Sequence, residues 1–414
     1  MKILRLRAYY SPEVTSGTHL DNDLNEGLAN NDMLCVNYTP IPTRGVGKKV
    51  TKIYKERKHE QLFGGKIIVN RFPMFKERRN IIQRASRYIC CSIVEYFLGV
   101  REKEVDLVYS SSTPPTQGLL SALVAKKLSS KNKKKVPFIY NLQDIFPDSL
   151  VNAGITHKKS FLWKIGRVIE DYTYKKADKI IVISNGFKKN IVSKGVPEEK
   201  IEVISNWIDI ESVHPIAREN NSLVTKYNID PSKYIVVYAG NFGAVQGAEI
   251  ILDVARNLKE MEEIQFVIFG AGLYFEEAKK KASGLRNVVI DRLQPPDMIS
   301  EVYSLGDIAL ITCKPGTGDA GMPSKVWSIM ACNTSIIASF DINSDLADVL
   351  KNSGAGKCVE PGNVTALCDS IYTAYKEKSE KEINSRDYVR ANASKEICVS
   401  RYIETIKDVY NNKK

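Results

Sequence analysis

The 414-residue chain has only four histidines (His19, His59, His157 and His214), with no HExxH and no close pair, so a histidine-rich metal site is not expected. Its eight cysteines (Cys35, Cys90, Cys91, Cys313, Cys332, Cys358, Cys368 and Cys398) form no CxxC pair. They fall mostly inside apolar runs, as buried thiols do, which excludes a zinc site and a disulfide framework. No run approaches 18 consecutive apolar residues, so no spanning helix is expected. The opening MKILRLRAYYSPE lacks the apolar core of a signal peptide, and the expected location is cytosolic. Disorder is also excluded: 43% hydrophobic and 26% charged residues, with 25 Gly and 16 Pro, is ordinary globular composition. At roughly 150 residues per domain the length gives two or three domains.

What is present is positive charge, unevenly spread. The net charge is +12, and residues 1–206 hold 36 basic against 20 acidic residues, leaving 24 against 28 for the rest. Basic clusters lie at Lys48–Lys58, Arg71–Arg87 and Lys126–Lys135. Nucleic acid is not the expected partner, because no recognised binding motif accompanies the charge. Solvated surface and an anionic membrane leaflet remain, the latter attracting on the order of 1 kcal/mol per surface Lys or Arg. Within Phe75–Val100, Ile82, Ala85, Ile89, Ile93 and Phe97 recur at helical spacing beside Lys76, Arg78, Arg79, Arg84 and Arg87. Such a helix either lies in a membrane interface or packs its apolar face on its own domain.

Short β-rich runs alternate with helical patterns. The first set of strands is expected at Lys2–Arg7, Leu34–Tyr38, Lys66–Arg71, Leu107–Tyr109, Phe138–Asn141, Lys179–Ile183 and Ile201–Ile204. The pattern restarts at Tyr234–Ala239 and runs through Gln265–Phe269, Val288–Ile290, Ile308–Thr312 and Ser335–Ser339. This order predicts two doubly wound α/β domains in tandem, 1–205 and 206–390, with 391–414 a final helical segment. Asn206–Tyr227 is polar and turn-rich, and reads as a linker. Ligands of such sheets bind beyond the carboxyl ends of the strands, which predicts an active site in a cleft between the domains.

Several strand ends carry chemistry. Gly240-Asn241-Phe242-Gly243 leads to Gln246-Gly247 and a helix; glycines let a backbone approach a phosphate, and a plain tight turn is the bland alternative. Asp319-Ala320-Gly321-Met322-Pro323-Ser324-Lys325 opens an apolar helix, with Ser324 as a capping residue and Lys325 as a point charge for a diphosphate. Gln143-Asp144-Ile145-Phe146-Pro147-Asp148 puts two carboxylates at a strand's carboxyl end. The loop Ser11–Thr18 joins the first strand to the first helix, the usual place of a phosphate loop, but carries no GxGxxG.

Taken in order, YYSPE (9–13), QDIFPD (143–148), VISNGF (182–187), ISNWIDIESVHP (204–215), YAGNFGAVQGAE (238–249), FGAGLYFEEA (269–278), RLQPPDMISEVYSLGDIALI (292–311) and GDAGMPSKVWSIMACNTSIIAS (318–339) resemble the family-4 retaining glycosyltransferases. The likeness spans nearly the whole chain and leans to the bacterial branch that builds O-antigen, capsule and colanic acid. It implies the GT-B fold, with acceptor on the first Rossmann-like domain and nucleotide sugar on the second. It further implies retention of configuration, no catalytic metal, no cofactor beyond the UDP-sugar substrate, and a last helix crossing back to the first domain. The implied acceptor is a lipid diphosphate-linked saccharide at the inner face of the membrane, and the implied donor sugar an N-acetylated deoxyhexose such as N-acetylfucosamine.

Individual positions carry over from the resemblance. Gly17 matches the first-loop glycine near the donor phosphate. Asp144 stands where the family has His or Asp beside the reacting sugar. Asn241 and Gln246 replace an Arg and a Lys on the diphosphate, which leaves Lys325 and helix N-terminal amides to neutralise the leaving group. Gly240 and Gly321 belong to the same glycine-lined approach. The family's paired glutamates fall at Ala320 and Ser328, so hydroxyl contacts pass to Asp319 and Ser328. Arg292 and Leu293 match the nucleobase segment, and Asn333 replaces a glycine that a positive φ would explain. The competing readings are a UDP-sugar 2-epimerase of the same fold, against which the NWxD and PSK segments count, and a non-catalytic nucleotide-sugar-binding assembly protein.

Overall fold

The computed structural model describes residues 1–13, 17–77, 81–152, 154–318, 321–377 and 384–412. They form two compact units, residues 1–205 with 398–414, and residues 206–397.

The first unit is built on an eight-stranded sheet: β1 (Lys2–Leu6), β2 (Leu34–Pro40), β3 (His59–Leu62), β4 (Ile67–Phe72), β5 (Leu107–Ser111), β6 (Phe138–Leu142), β7 (Lys179–Val182) and β8 (Ile201–Val203), in spatial order β3-β4-β2-β1-β5-β6-β7-β8. All neighbours are parallel except β3, which pairs antiparallel with β4. Central parallel strands are covered on both faces and read as continuous apolar runs, as Ile3, Leu4, Leu107, Val108, Ile180 and Ile181 do here, all wholly buried. The polar, edge-forming β3 lacks that signal and was not legible in the sequence.

The second unit holds β9 (Tyr234–Asn241), β10 (Ile264–Ala271), β11 (Val288–Arg292), β12 (Ile308–Thr312), β13 (Ser335–Ser339) and β14 (Gly356–Val359), all parallel, in order β11-β10-β9-β12-β13-β14. Each sheet has a point where strand order reverses, between β1 and β5 in one and between β9 and β12 in the other.

One expectation is corrected, one helix is added, and of two readings left open for another helix the packed apolar stripe is excluded. Residues 206–227 are not a linker: Trp207, Ile210, Val213 and Leu223 are buried, and the last three pack in the second unit's core. Their apolar anchors are spaced among polar residues, so composition alone misreads them. Helix Lys48–Glu56 forms within what read only as a basic cluster. In helix Ile81–Gly99 the packed face is not the apolar stripe: Arg87, Cys91 and Glu95 are buried, while Ile89, Ile93 and Phe97 are 55%, 52% and 53% exposed.

The final helix, Lys395–Asn411, begins in the second unit, and from Cys398 onward it packs on the first. Arg401 donates to Glu202 Oε1 (2.9 Å) and to the Val203 carbonyl (2.7 Å), Tyr402 donates its hydroxyl to Asn141 Oδ1 (3.2 Å), and Val399 lies where any Cβ on Gly27 would collide with it.

Candidate active site

In the second unit, β9 is apolar through Tyr238 and then delivers Gly240 and Asn241 to the carboxyl edge of the sheet, at the reversal between β9 and β12. Lys325, the first residue of helix Lys325–Ala331, follows β12 and reaches back to the same place. Its ammonium donates to the Ala239 carbonyl at 2.9 Å and sits 4.3 Å from the centroid of the Tyr238 ring. Burial lowers its pKa to about 8, and no carboxylate is paired with it among the described residues. Gly240 makes this seat: a Cβ there would stand 2.5 Å from Lys325 Nζ and 2.8 Å from the Tyr238 hydroxyl.

Asn241 and Gln246 meet over Gly243, with Asn241 Nδ2 3.4 Å from Gln246 Oε1. They offer neutral amide donors where two cations would otherwise stand. The loop after β12 is clamped by Asp341, whose carboxylate accepts from the amides of Gly316 (3.1 Å) and Gly318 (2.6 Å). Sequence reasoning missed Asp341, which lies two residues past β13 in no recognisable motif.

At the far side of this edge, Arg292 ends β11, exposed and paired with Glu276 (2.5 Å), and the Leu293 amide donates to the Gly270 carbonyl (3.0 Å). Leu293 keeps 45% of its surface exposed. Gly321 adopts φ +152°, a left-handed conformation that favours glycine. Asn333 does have positive φ, at 55°, and its side chain also accepts the Arg386 amide (2.9 Å).

One expectation is corrected. Ser324 is exposed at the N-cap position but in helical conformation, and its side chain caps nothing; a cap needs an extended backbone to turn its oxygen onto the helix amides. Ser328 is buried one helical turn after Lys325. Asp319 and Ala320 lie outside the described residues.

In the first unit, Asp144 follows β6. Ser112 Oγ, at the end of β5, accepts the amides of Gln143 (2.9 Å) and Asp144 (3.0 Å) and so fixes the turn. Asp144 reaches the surface, yet the protein packed around it raises its carboxyl pKa above the ordinary range, with a smaller opposing effect from the Ser149 hydroxyl (3.2 Å). Asp148 is already engaged, with Lys194 Nζ at 2.8 Å. Gly17 opens the helix after β1 with open space where a Cβ would go. Behind that helix, Asp21 pairs with Arg5 and Arg7; burial opposes its ionisation, but the two guanidiniums more than reverse it and lower its pKa. No group of three His, Cys, Asp or Glu side chains converges among the described residues, and no helix among them is long and apolar enough to cross a membrane.

The two Rossmann-like units and the sequence matches together make this chain a glycosyltransferase of the GT-B type. Within that class, residues 220–396 match the family Glycosyl transferases group 1, and residues 67–212 match Glycosyltransferase Family 4. Among similar proteins, WcaI of Escherichia coli (strain K12), named for colanic acid biosynthesis, is 26% identical over 65% of this chain and 67% of its own. WbjE of Pseudomonas aeruginosa, named as a glycosyltransferase, is 25% identical over 73% of this chain and 74% of its own. The solved structure of Anabaena HepE in complex with UDP superposes with a TM-score of 0.71 at 15% identity, covering 99% of this chain and 100% of that one.

Proposed function

We propose that the chain transfers a sugar from a UDP-sugar, with retention and without a catalytic metal, to a lipid diphosphate-linked saccharide during O-antigen or capsular polysaccharide assembly. An N-acetylated deoxyhexose such as N-acetylfucosamine is the proposed donor sugar. The observation that carries the reading is Lys325: a buried ammonium at the strand-order reversal, seated by a glycine, with no carboxylate partner among the described residues. A departing diphosphate is the counterion that such a site lacks. Asn241, Gln246 and Gly321 are assigned to the same diphosphate, and Arg292 and Leu293 to the base. The UDP complex of HepE and the name of WcaI support the donor and pathway assignments.

Transfer builds positive charge at the anomeric carbon and negative charge on the diphosphate. The acceptor hydroxyl attacks from the leaving-group face, and a diphosphate oxygen takes its proton. Asp144 orients a sugar hydroxyl and forms no covalent bond.

A thermal-shift panel of UDP, GDP, dTDP and UDP-sugars tests this. UDP alone among the diphosphates is expected to stabilise the protein, by mass action on the folded state. Stabilisation by GDP or dTDP instead would overturn the uridine assignment. Nucleotide-sugar binding without turnover on any lipid-linked acceptor would favour the assembly-protein reading.

The exposed stripe Ile89, Ile93 and Phe97 supports peripheral contact with an anionic membrane, as do Phe161, Leu162, Ile165 and Val168, exposed on helix Phe161–Lys176. Cosedimentation with vesicles is expected to rise with their anionic lipid content and to fall at least severalfold in an Ile93→Asp, Phe97→Asp double variant. Binding indifferent to both changes would refute membrane contact.

A further inference from the structure

The first unit holds a cavity of about 540 Å³ lined by Thr43, Arg44, Gly45, Val46, Lys76, Glu77 and Arg84. Its walls come from the segments after β2 and β4 and from helix Ile81–Gly99, on the carboxyl side of the sheet. Among the described residues three cations and one carboxylate line it, and the carboxylate is committed. Glu77 Oε1 pairs with Arg84 Nε (3.2 Å), and Oε2 accepts the Tyr9 hydroxyl (2.5 Å). Arg44 lies over the Tyr9 ring, 4.9 Å from its centroid, and neither Arg44 nor Lys76 has a carboxylate partner among the described residues.

Behind the wall lie buried Arg87 and two buried carboxyl groups that feel its charge, Glu13 and Glu95. Arg87 is wholly buried; its Nε donates to the Phe75 carbonyl (3.2 Å), while both terminal nitrogens have no hydrogen-bond acceptor among the described residues, the nearest carboxylate being Glu77 at 3.9 Å. Glu13, also buried, spends Oε1 on the amides of Thr43 (2.7 Å) and Arg44 (2.8 Å). Those amides are therefore occupied, and recognition in this cavity belongs to side chains. The excess of cations lies at the cavity itself, where Lys76 is exposed and Arg44 and Arg84 are partly exposed, so an anion from solvent can reach all three. Arginines arranged around a small cavity match phosphoryl oxygens, and the volume suits a phosphorylated saccharide end.

We propose that this cavity binds a phosphate or diphosphate group of the acceptor, with Arg44, Lys76 and Arg84 contacting its oxygens. The proposal rests on the transferase reading for the identity of the bearer, which is a lipid-linked phosphate ester. It is independent of the donor assignment.

The test is equilibrium binding of geranyl diphosphate and of inorganic diphosphate to the full chain, with UDP binding measured in parallel. An Arg44→Gln, Lys76→Gln double variant is expected to lose at least tenfold in geranyl diphosphate affinity while UDP binding is unchanged. A control variant, Lys126→Gln, Lys127→Gln, removes two exposed cations elsewhere on the unit and is expected to bind like the native protein. Equal affinity in native and Arg44/Lys76 variants, or an equal loss in the control, overturns the site. Binding of inorganic diphosphate with the same dependence on Arg44 and Lys76 supports the phosphoryl pocket but overturns the lipid ester as its required bearer. Absence of any UDP effect in the native protein would sink the donor reading while leaving the geranyl diphosphate comparison decisive here.

Discussion

Replacing Lys325 with methionine is expected to lower kcat by about 10²–10³-fold, the usual effect of removing one preorganised stabiliser of a developing anion. Methionine keeps the length and apolar stem but not the charge. The native ammonium is desolvated against Tyr238 and Ala239 and has no carboxylate partner among the described residues, so its removal is not expected to destabilise the unliganded fold. Rate loss with unchanged or higher thermal stability is therefore the predicted signature. The lowered pKa adds a pH test. Free enzyme loses this charge as pH rises through about 8, whereas bound diphosphate favours the charged form. UDP affinity is expected to fall above pH 8, by up to about tenfold per unit, and that fall is expected to vanish in Lys325→Met. The sign for stability is opposite. An amine whose folded pKa lies below its unfolded value makes the unliganded protein more stable as pH climbs from about 8 toward 10.5. Gly240→Ala probes the same seat without touching charge, because its methyl would displace the Lys325 ammonium. If Lys325→Met turns over at the native rate, the diphosphate has another counterion and the assignment is wrong.

Asp144→Asn is expected to lower kcat/KM by on the order of 10–100-fold, the difference between a charged and a neutral hydrogen bond to a sugar hydroxyl. The backbone of its turn hangs on Ser112 Oγ, which asparagine leaves intact, so folding is expected to be normal. Because burial raises the native carboxyl pKa, activity should fall on the acid side at a higher pH than an ordinary aspartate would cause, and the asparagine variant should lack that limb. Near-normal turnover in a normally folded variant would remove Asp144 from the mechanism. A variant reduced to the uncatalysed rate would instead argue for a nucleophile.

The strands were legible because a parallel sheet buried on both faces needs unbroken apolar runs. Tyr234–Tyr238 and Ile308–Thr312 have no alternative use in a chain of this composition. The candidate site was legible where chemistry required a special residue: Gly240 for clearance, Lys325 for charge, Asn333 for a positive φ. It was illegible where the requirement was spatial. Asp341 holds a loop that lies more than twenty residues away in sequence, and nothing beside it marks that role. Ser324 looked like a cap by type but lacks the backbone conformation that capping needs.

Helix Ile81–Gly99 shows the limit most plainly. Its sequence carries an apolar stripe, and helical periodicity alone would bury that stripe. The fold buries the opposite face, where Glu95 is held by Gln117 Nε2 (2.8 Å) and Cys91 Sγ (3.3 Å) and Arg87 lies behind a cationic cavity. Periodicity reports that a helix has two faces. Which face turns inward depends on the partners that the β1, β2 and β4 ends and the neighbouring helix bring to it, and those contacts reach as far back as Leu6 against Gly99. The sequence by itself determined the two wound sheets and the residues with unusual local requirements, because both follow from short-range sterics and burial. Only the tertiary structure decided which charges are left without counterions, because that depends on distances between segments far apart in the chain.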